Sequence, residues 1–143
     1  MRYDDTHSLI SLVYKNMNDN LTQKLSDAGL SNIVTSHGSI FNILFQEKEL
    51  SMNEIAEKIN KTPQTVTVLV KKLISMGYLD SRKSDKDGRS TIIFLTQQGM
   101  DLKPDFDLIS KNMYDTRFKG IDEKEIENFR KTLYKIINNL ENK

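Results

Sequence analysis

The residues best suited to chemistry in this chain are polar groups on one helical face and a cluster of cations just beyond it. Thr62, Gln64, Thr65, Thr67, Val68, Lys71 and Lys72 fall together on a helix that Thr62 caps and Pro63 opens. That face holds no acid and carries three threonines, whose β-branching disfavours helix interiors, so local stability did not select it. In a DNA major groove, Gln pairs bidentately with adenine. Thr and Val methyls meet the thymine methyl, and Lys reaches guanine or phosphate. The alternative is a neutral, solvated face. Lys83, Lys86 and Arg89 follow around an Asp87-Gly88 turn, where an arginine can probe a minor groove. From Lys58 to Arg89 there are eight Lys/Arg and three Asp, a net of +5. The whole chain is +1, which leaves −4 elsewhere. A basic segment on an acidic remainder is an electrostatic footprint for a polyanion.

Other chemistries find little to work with. The 143 residues include no Cys and two His, His7 and His37, so disulfides, thiol redox sensing and Cys-ligated metals are excluded. There is no nucleophile–base constellation, phosphate-cradling Gly loop or metal cluster, so neither an enzyme nor a cofactor is expected. A lone His37 in the first turn of a helix reads as a solvent- or phosphate-facing donor rather than a ligand. Mean hydropathy is −0.54, and the longest apolar run, Ile92 to Leu95, is far too short to span a bilayer. The opening MRYDDTHSLI lacks the apolar stretch of a signal peptide, so a cytoplasmic location is expected.

The remaining elements position that stretch. Leu9, Val13, Met17, Leu21 and Leu25 give Asp5 to Ala28 a narrow helical stripe, fit either for pairing with another helix or for an ordinary core. A second helix begins at Thr35, with Ile40, Phe41, Leu44 and Phe45 on its apolar face and Gly38 admitting close packing. Ser51 and Glu54 form a capping box ahead of Ile55, Ala56 and Ile59, and Asn60-Lys61 turns the chain into the helix that runs to Met76. Two short helices joined so tightly make a helix-turn-helix. Val66, Leu69, Val70 and Leu73 form its core face. Leu79–Lys83 and Ser90–Leu95 are strands of a hairpin, the second apolar on both faces. Thr96 caps the next helix, Pro104 should break or kink it near Lys103, and Asp122 caps a last helix striped by Ile126, Phe129, Leu133, Ile136, Ile137 and Leu140.

The runs Leu73-x-x-x-Gly77-Tyr78-Leu79-x-x-Arg82, Asp85-x-Asp87-x-Arg89 and Leu95-Thr96-x-x-Gly99 resemble the MarR family of winged helix-turn-helix transcriptional regulators. In element order the match spans nearly the whole chain, and it is most specific from Asn53 to Gly99. It implies a mostly α fold with a small β-wing, in one domain covering 1–143. Residues 33–96 would be the winged helix-turn-helix lobe, and 1–30 and 97–143 the flanking dimerisation helices.

By the same resemblance the partners are double-stranded DNA and a second copy of the chain. The homodimer would act, as a repressor, on a pseudo-palindromic operator with half-sites about 34–36 Å apart. Thr62, Pro63, Gln64, Thr65, Thr67, Val68 and Lys71 would lie on the recognition helix. Ser36 and His37 would meet phosphate, Lys86 and Arg89 would sit in the wing, and Asp87 would orient the wing through Arg82 or Arg89. Family members often take aromatic or lipophilic acids. A small effector cleft would draw here on Tyr14, Met17, Phe41, Phe45 and Met113, apolar residues at helical spacing that an ordinary core explains better. An effector-independent regulator and a protein-binding winged helix are the alternatives.

Overall fold

The computed structural model describes residues 3–142. The chain separates into two compact units, Met1–Ile109 and Ser110–Lys143.

In the first unit, helix α1 (Thr6–Asp27) ends at Gly29, whose φ of 78° is the left-handed conformation that glycine adopts without Cβ strain. Its stripe is graded: Leu25 is buried, Met17 and Leu21 are half-buried, and Leu9 and Val13 are exposed. Helix α2 (Thr35–Glu47) buries Ile40, Phe41 and Leu44 completely. The Phe41 ring sits 4.9 Å from Phe106, 5.7 Å from Tyr78 and 5.9 Å from Phe45, centroid to centroid, in tilted and edge-on arrangements that suit aromatic quadrupoles.

Helix α3 (Met52–Lys58) has the expected capping box: Ser51 Oγ accepts from Glu54 N at 3.1 Å, and Ser51 N donates to the Glu54 carboxylate at 3.0 Å. Those bonds from Ser51 hold the Glu54 carboxyl below the usual carboxylate range. Asn60, at φ 55°, makes the turn into α4 (Pro63–Ser75), where Val66, Val70 and Leu73 are fully buried. Leu69, expected with them, is half-buried, one position off the face's centre line.

The hairpin is β2 (Leu79–Lys83) and β3 (Thr91–Leu95), antiparallel with Leu79 opposite Leu95 and Lys83 opposite Thr91. A third strand, β1 (Glu49–Ser51), pairs with the other edge of β3, placing Glu49 opposite Phe94. The order β1-β3-β2 makes β3 the central strand, paired on both edges; Ile93 is buried on one face, and Ile92 and Phe94 on the other are half-buried. Thr96 caps the short α5 (Gln97–Met100), and α6 (Lys103–Arg117) begins afresh with Pro104 in its first turn. The break expected near Lys103 is there, and proline is tolerated because its N–H would have had no helical partner.

In the second unit, Asp122 Oδ1 accepts from Glu125 N at 2.8 Å to cap α7 (Glu123–Glu141). Ile126 is buried and Leu133 and Ile136 are half-buried, whereas Phe129, Tyr134, Ile137 and Leu140 stand exposed.

Candidate nucleic-acid interface

The recognition face is built from the N-terminus of α4 outward. Thr62 Oγ1 accepts from Thr65 N at 3.2 Å and donates to Thr65 Oγ1 at 2.9 Å, so these hydroxyls brace the first turn. Thr67 Oγ1 donates to the Pro63 carbonyl at 2.8 Å. With that hydroxyl tied back to the helix, the methyl is the group Thr67 has left to present. Pro63, Gln64, Thr65, Val68 and Lys71 are exposed. Val68 is 69% exposed, an apolar side chain set in an otherwise polar face with no core to fill.

The wing carries Lys86 and Arg89 at its exposed tip. Asp87 organises that tip, though not through a guanidinium. Its carboxylate accepts from Arg89 N at 3.0 Å and from Ser90 Oγ at 3.3 Å, while Ser90 N donates to the Asp87 carbonyl. A short carboxylate two residues upstream reaches a backbone N–H, which is the Asx-turn geometry. Arg82 is engaged elsewhere: Nη2 donates to Glu49 at 2.9 Å, and Asp85 lies 3.8 Å from Nη1. The Arg82–Asp87 pairing offered from sequence is therefore replaced by Arg82–Glu49, which ties β2 to β1 across the sheet.

Between α4 and the wing lies a groove of about 640 Å³, lined in part by Thr67, Lys71 and Arg89. The fold thus brings together cations 18 residues apart in sequence. Asn53 and Ser81 also line it and were not singled out from sequence. Neither stands in a distinctive local pattern, and only the packing of α3 and β2 beside α4 turns them to the same space.

At the start of α2 the picture changes. Ser36 is half-buried, but His37 is 2% exposed and does not face outward as a phosphate donor. Its Nδ1 accepts from Val34 N at 3.1 Å, the return half of a capping box, in which a residue at the third helical position satisfies the N–H of the residue before the helix. The proton of the neutral ring then sits on Nε2, a buried atom with no hydrogen-bond partner among the described residues. Burial, and secondly the charge of Lys72, push the His37 pKa down.

The residues expected at an effector cleft part company. Tyr14 is exposed, Met17 and Phe45 are half-buried, and Phe41 is closed off inside the aromatic cluster with no open face. Met113, half-buried, belongs to the second unit.

A tight helix pair, a second helix with an outward polar face and a three-stranded wing beside it define a winged helix-turn-helix protein. Residues 28–90 match the model of the MarR family. A relative named as the HTH-type transcriptional repressor IacR, from Pseudomonas putida, is 26% identical over 99 residues, which cover 69% of this chain and 59% of the relative. The chain thus spans about three fifths of that relative's length. The crystal structure of an S. aureus MepR–DNA complex superposes with a TM-score of 0.85 at 24% identity, covering 96% of this chain and 99% of the other. Bordetella bronchiseptica BpsR, described in a study of the regulation of its DNA binding by 6-hydroxynicotinic acid, gives a TM-score of 0.84 at 16% identity over 95% and 96%. At such identities the structural likenesses establish the fold. Among the described residues no helix is long and apolar enough to cross a membrane, and no group of His, Cys, Asp or Glu could hold a metal ion.

Proposed function

We propose that the chain is a sequence-specific, double-stranded DNA-binding transcriptional regulator, a repressor, that works as a homodimer. The observation that carries the reading is the outer face of α4. It is exposed and free of acids, with Val68 held in solvent and Lys71 sharing a groove with Arg89 of the wing. Water gives no reason to expose a valine there, whereas a thymine methyl does. Two cations astride that groove suit the phosphate backbone. Gln64, Thr65 and Thr67 read base edges from the first turns, and Lys86 and Arg89 reach the flanking groove. Support also comes from a solved relative described as a DNA complex and another named as a repressor.

The dimer follows from unpartnered apolar surface. Leu9, Ile10, Leu12, Val13 and Tyr14 are exposed along α1, and Phe129, Ile137 and Leu140 along α7. Two helices of one chain with bare stripes are best covered by a second copy, giving a symmetric base for two reading heads on a pseudo-palindrome. In this reading 1–30 and 97–143 pair the chains, and 33–96 read DNA. Regulators of this kind work in the cytoplasm and catalyse no reaction.

The deciding experiment is selection of bound duplexes from a random pool, followed by a salt titration on the winner. An inverted repeat should emerge. Affinity should fall steeply with salt, with a slope of about −0.9 per phosphate neutralised. Immeasurable duplex affinity even at low salt would overturn the reading. An acidic or apolar peptide partner captured by the same face would favour the protein-binding alternative.

A further inference from the structure

The outer face of α4 divides into two kinds of side chain. In its first turn Gln64 keeps a full amide, and Thr65 Oγ1, which accepts from Thr62 Oγ1, keeps its own proton to donate. One turn on, the polar groups stop. Val68 is 69% exposed and has no polar atom. The Thr67 hydroxyl is spent, donating at 2.8 Å to the Pro63 carbonyl, which holds Oγ1 against the helix backbone and leaves the methyl foremost. Both side chains are β-branched and stiff at χ1, and the bond to Pro63 fixes Thr67 further, so little rotamer freedom is lost when either is covered. Thr67 is half-buried and lines the groove shared with Lys71 and Arg89, while Val68 stands exposed beside it, so the two can meet neighbouring base steps. Gln64 and Val68, four residues apart on one stripe, are separated along the axis by about 6 Å, close to two base-pair steps.

In the major groove the pyrimidines differ at two positions. The group at C4 is an oxygen acceptor in thymine and an amino donor in cytosine, and C5 carries a methyl in thymine alone. A free amide or hydroxyl reads the first difference, and a side chain that offers only methyls reads the second. 5-Methylcytosine combines thymine's C5 methyl with cytosine's amino group. To Thr67 and Val68 it is equivalent to thymine, whereas cytosine and uracil both lack the group they touch. We infer, on the reading that α4 faces DNA, that Thr67 and Val68 form a reader of the pyrimidine C5-methyl group that accepts 5-methylcytosine in place of thymine. Methylation of a cytosine at such a step then creates a binding site that the unmodified sequence lacks.

The probe is the duplex recovered from a random pool, bound to the full chain, with each thymine replaced in turn by deoxyuridine, which removes the methyl and nothing else. One or two positions in each half-site should weaken binding about threefold to fivefold, the value of one buried methyl, with no effect elsewhere. At those positions a cytosine–guanine pair should bind more tightly by the same factor of about three to five when its cytosine carries the C5 methyl. Val68→Ala should abolish the response at one position. Thr67→Ser keeps the tied hydroxyl and removes the methyl, and Thr67→Val does the reverse, so the serine variant should respond to the base methyl less than the valine variant. Thermal melts report the folding of all three. A duplex bound with steep salt dependence, yet indifferent to every deoxyuridine and to 5-methylcytosine, overturns the methyl reader and leaves the DNA-binding reading standing. A methyl response that survives both Val68→Ala and Thr67→Ser overturns the assignment to these residues. Failure to bind any duplex even at low salt overturns both readings.

Discussion

Gly99 lies directly against the backbone carbonyl of Tyr78. A Cβ built on Gly99 would overlap that oxygen and approach Leu95 Cδ2 to 2.9 Å. Thr96 closes the same joint, its N–H donating to the Tyr78 carbonyl at 3.0 Å and its Oγ1 to the Gly77 carbonyl at 2.6 Å. The exit of the wing is thereby fastened to the end of α4, and the angle between α4 and the wing is set by a contact that only glycine permits.

Gly99→Ala should therefore destabilise the fold by about 1–3 kcal/mol, because the obstacle is backbone that cannot swing aside. Urea denaturation measures it. Gly38→Ala is expected to behave oppositely. A methyl there would meet Phe106 at 3.8 Å, ordinary contact, so the close packing invoked for Gly38 does not require glycine. Alanine in that helix interior should stabilise by about 0.5–1 kcal/mol. If Gly99→Ala melts like the native chain, the joint is softer than described.

His37 makes stability depend on pH. Its folded pKa lies below the ordinary 6.5, first through burial and then through Lys72, so the unfolded chain binds the proton more readily. The contribution is complete above pH about 6.5 and is lost as pH falls below it, because protonation favours the unfolded state. Stability by urea titration should decline from pH 7.5 to 5.5. The His37 ring signal in NMR should stay neutral to lower pH than 6.5. A His37 that titrates at or above 6.5 would contradict the buried, unpartnered Nε2.

Arg89→Ala should weaken duplex binding and flatten its salt dependence by about one phosphate's worth, with thermal stability unchanged because the side chain is exposed. Gln64→Ala should relax preference at one base-pair position by about 1–3 kcal/mol if its contact is bidentate. Val68→Ser, which keeps the face polar and small, should lose discrimination for a thymine. Unchanged binding and selectivity in all three would remove these residues from the interface.

Val13→Glu on α1 and Leu140→Glu on α7 should each shift the chain from dimer to monomer in sedimentation, and should cut operator affinity more than a single rim charge does. Both side chains are exposed within one chain, at 51% and 70%, so neither change buries a charge in the protomer's own core. A protein that already sediments as a monomer would refute the pairing of these helices.

Lys48→Gly should hold or raise stability, since strain of about 1–3 kcal/mol is exchanged for glycine's entropy of about 0.5–1 kcal/mol. Thermal melts check it. A marked loss would mean that the lysine's own contacts hold that backbone.

What could be read from the sequence was local. Ser51 with Glu54, Thr62 with Pro63, Asp87-Gly88, Thr96 and Asp122 each act on hydrogen bonds within a few residues, so residue type and spacing suffice to place the helix starts and the wing turn. The outward face of α4 was likewise legible, because a helix's periodicity assigns its faces. The tertiary structure decided what depends on distant partners. Strand β1 has three residues and no pattern of its own, and exists because β3 offers it an edge. Arg82 found Glu49, 33 residues away, in place of Asp87. His37 turned inward, where it accepts from the Val34 N–H three residues back and α4 packs against its helix. Those outcomes rest on which surfaces meet, and spacing along the chain does not encode that directly.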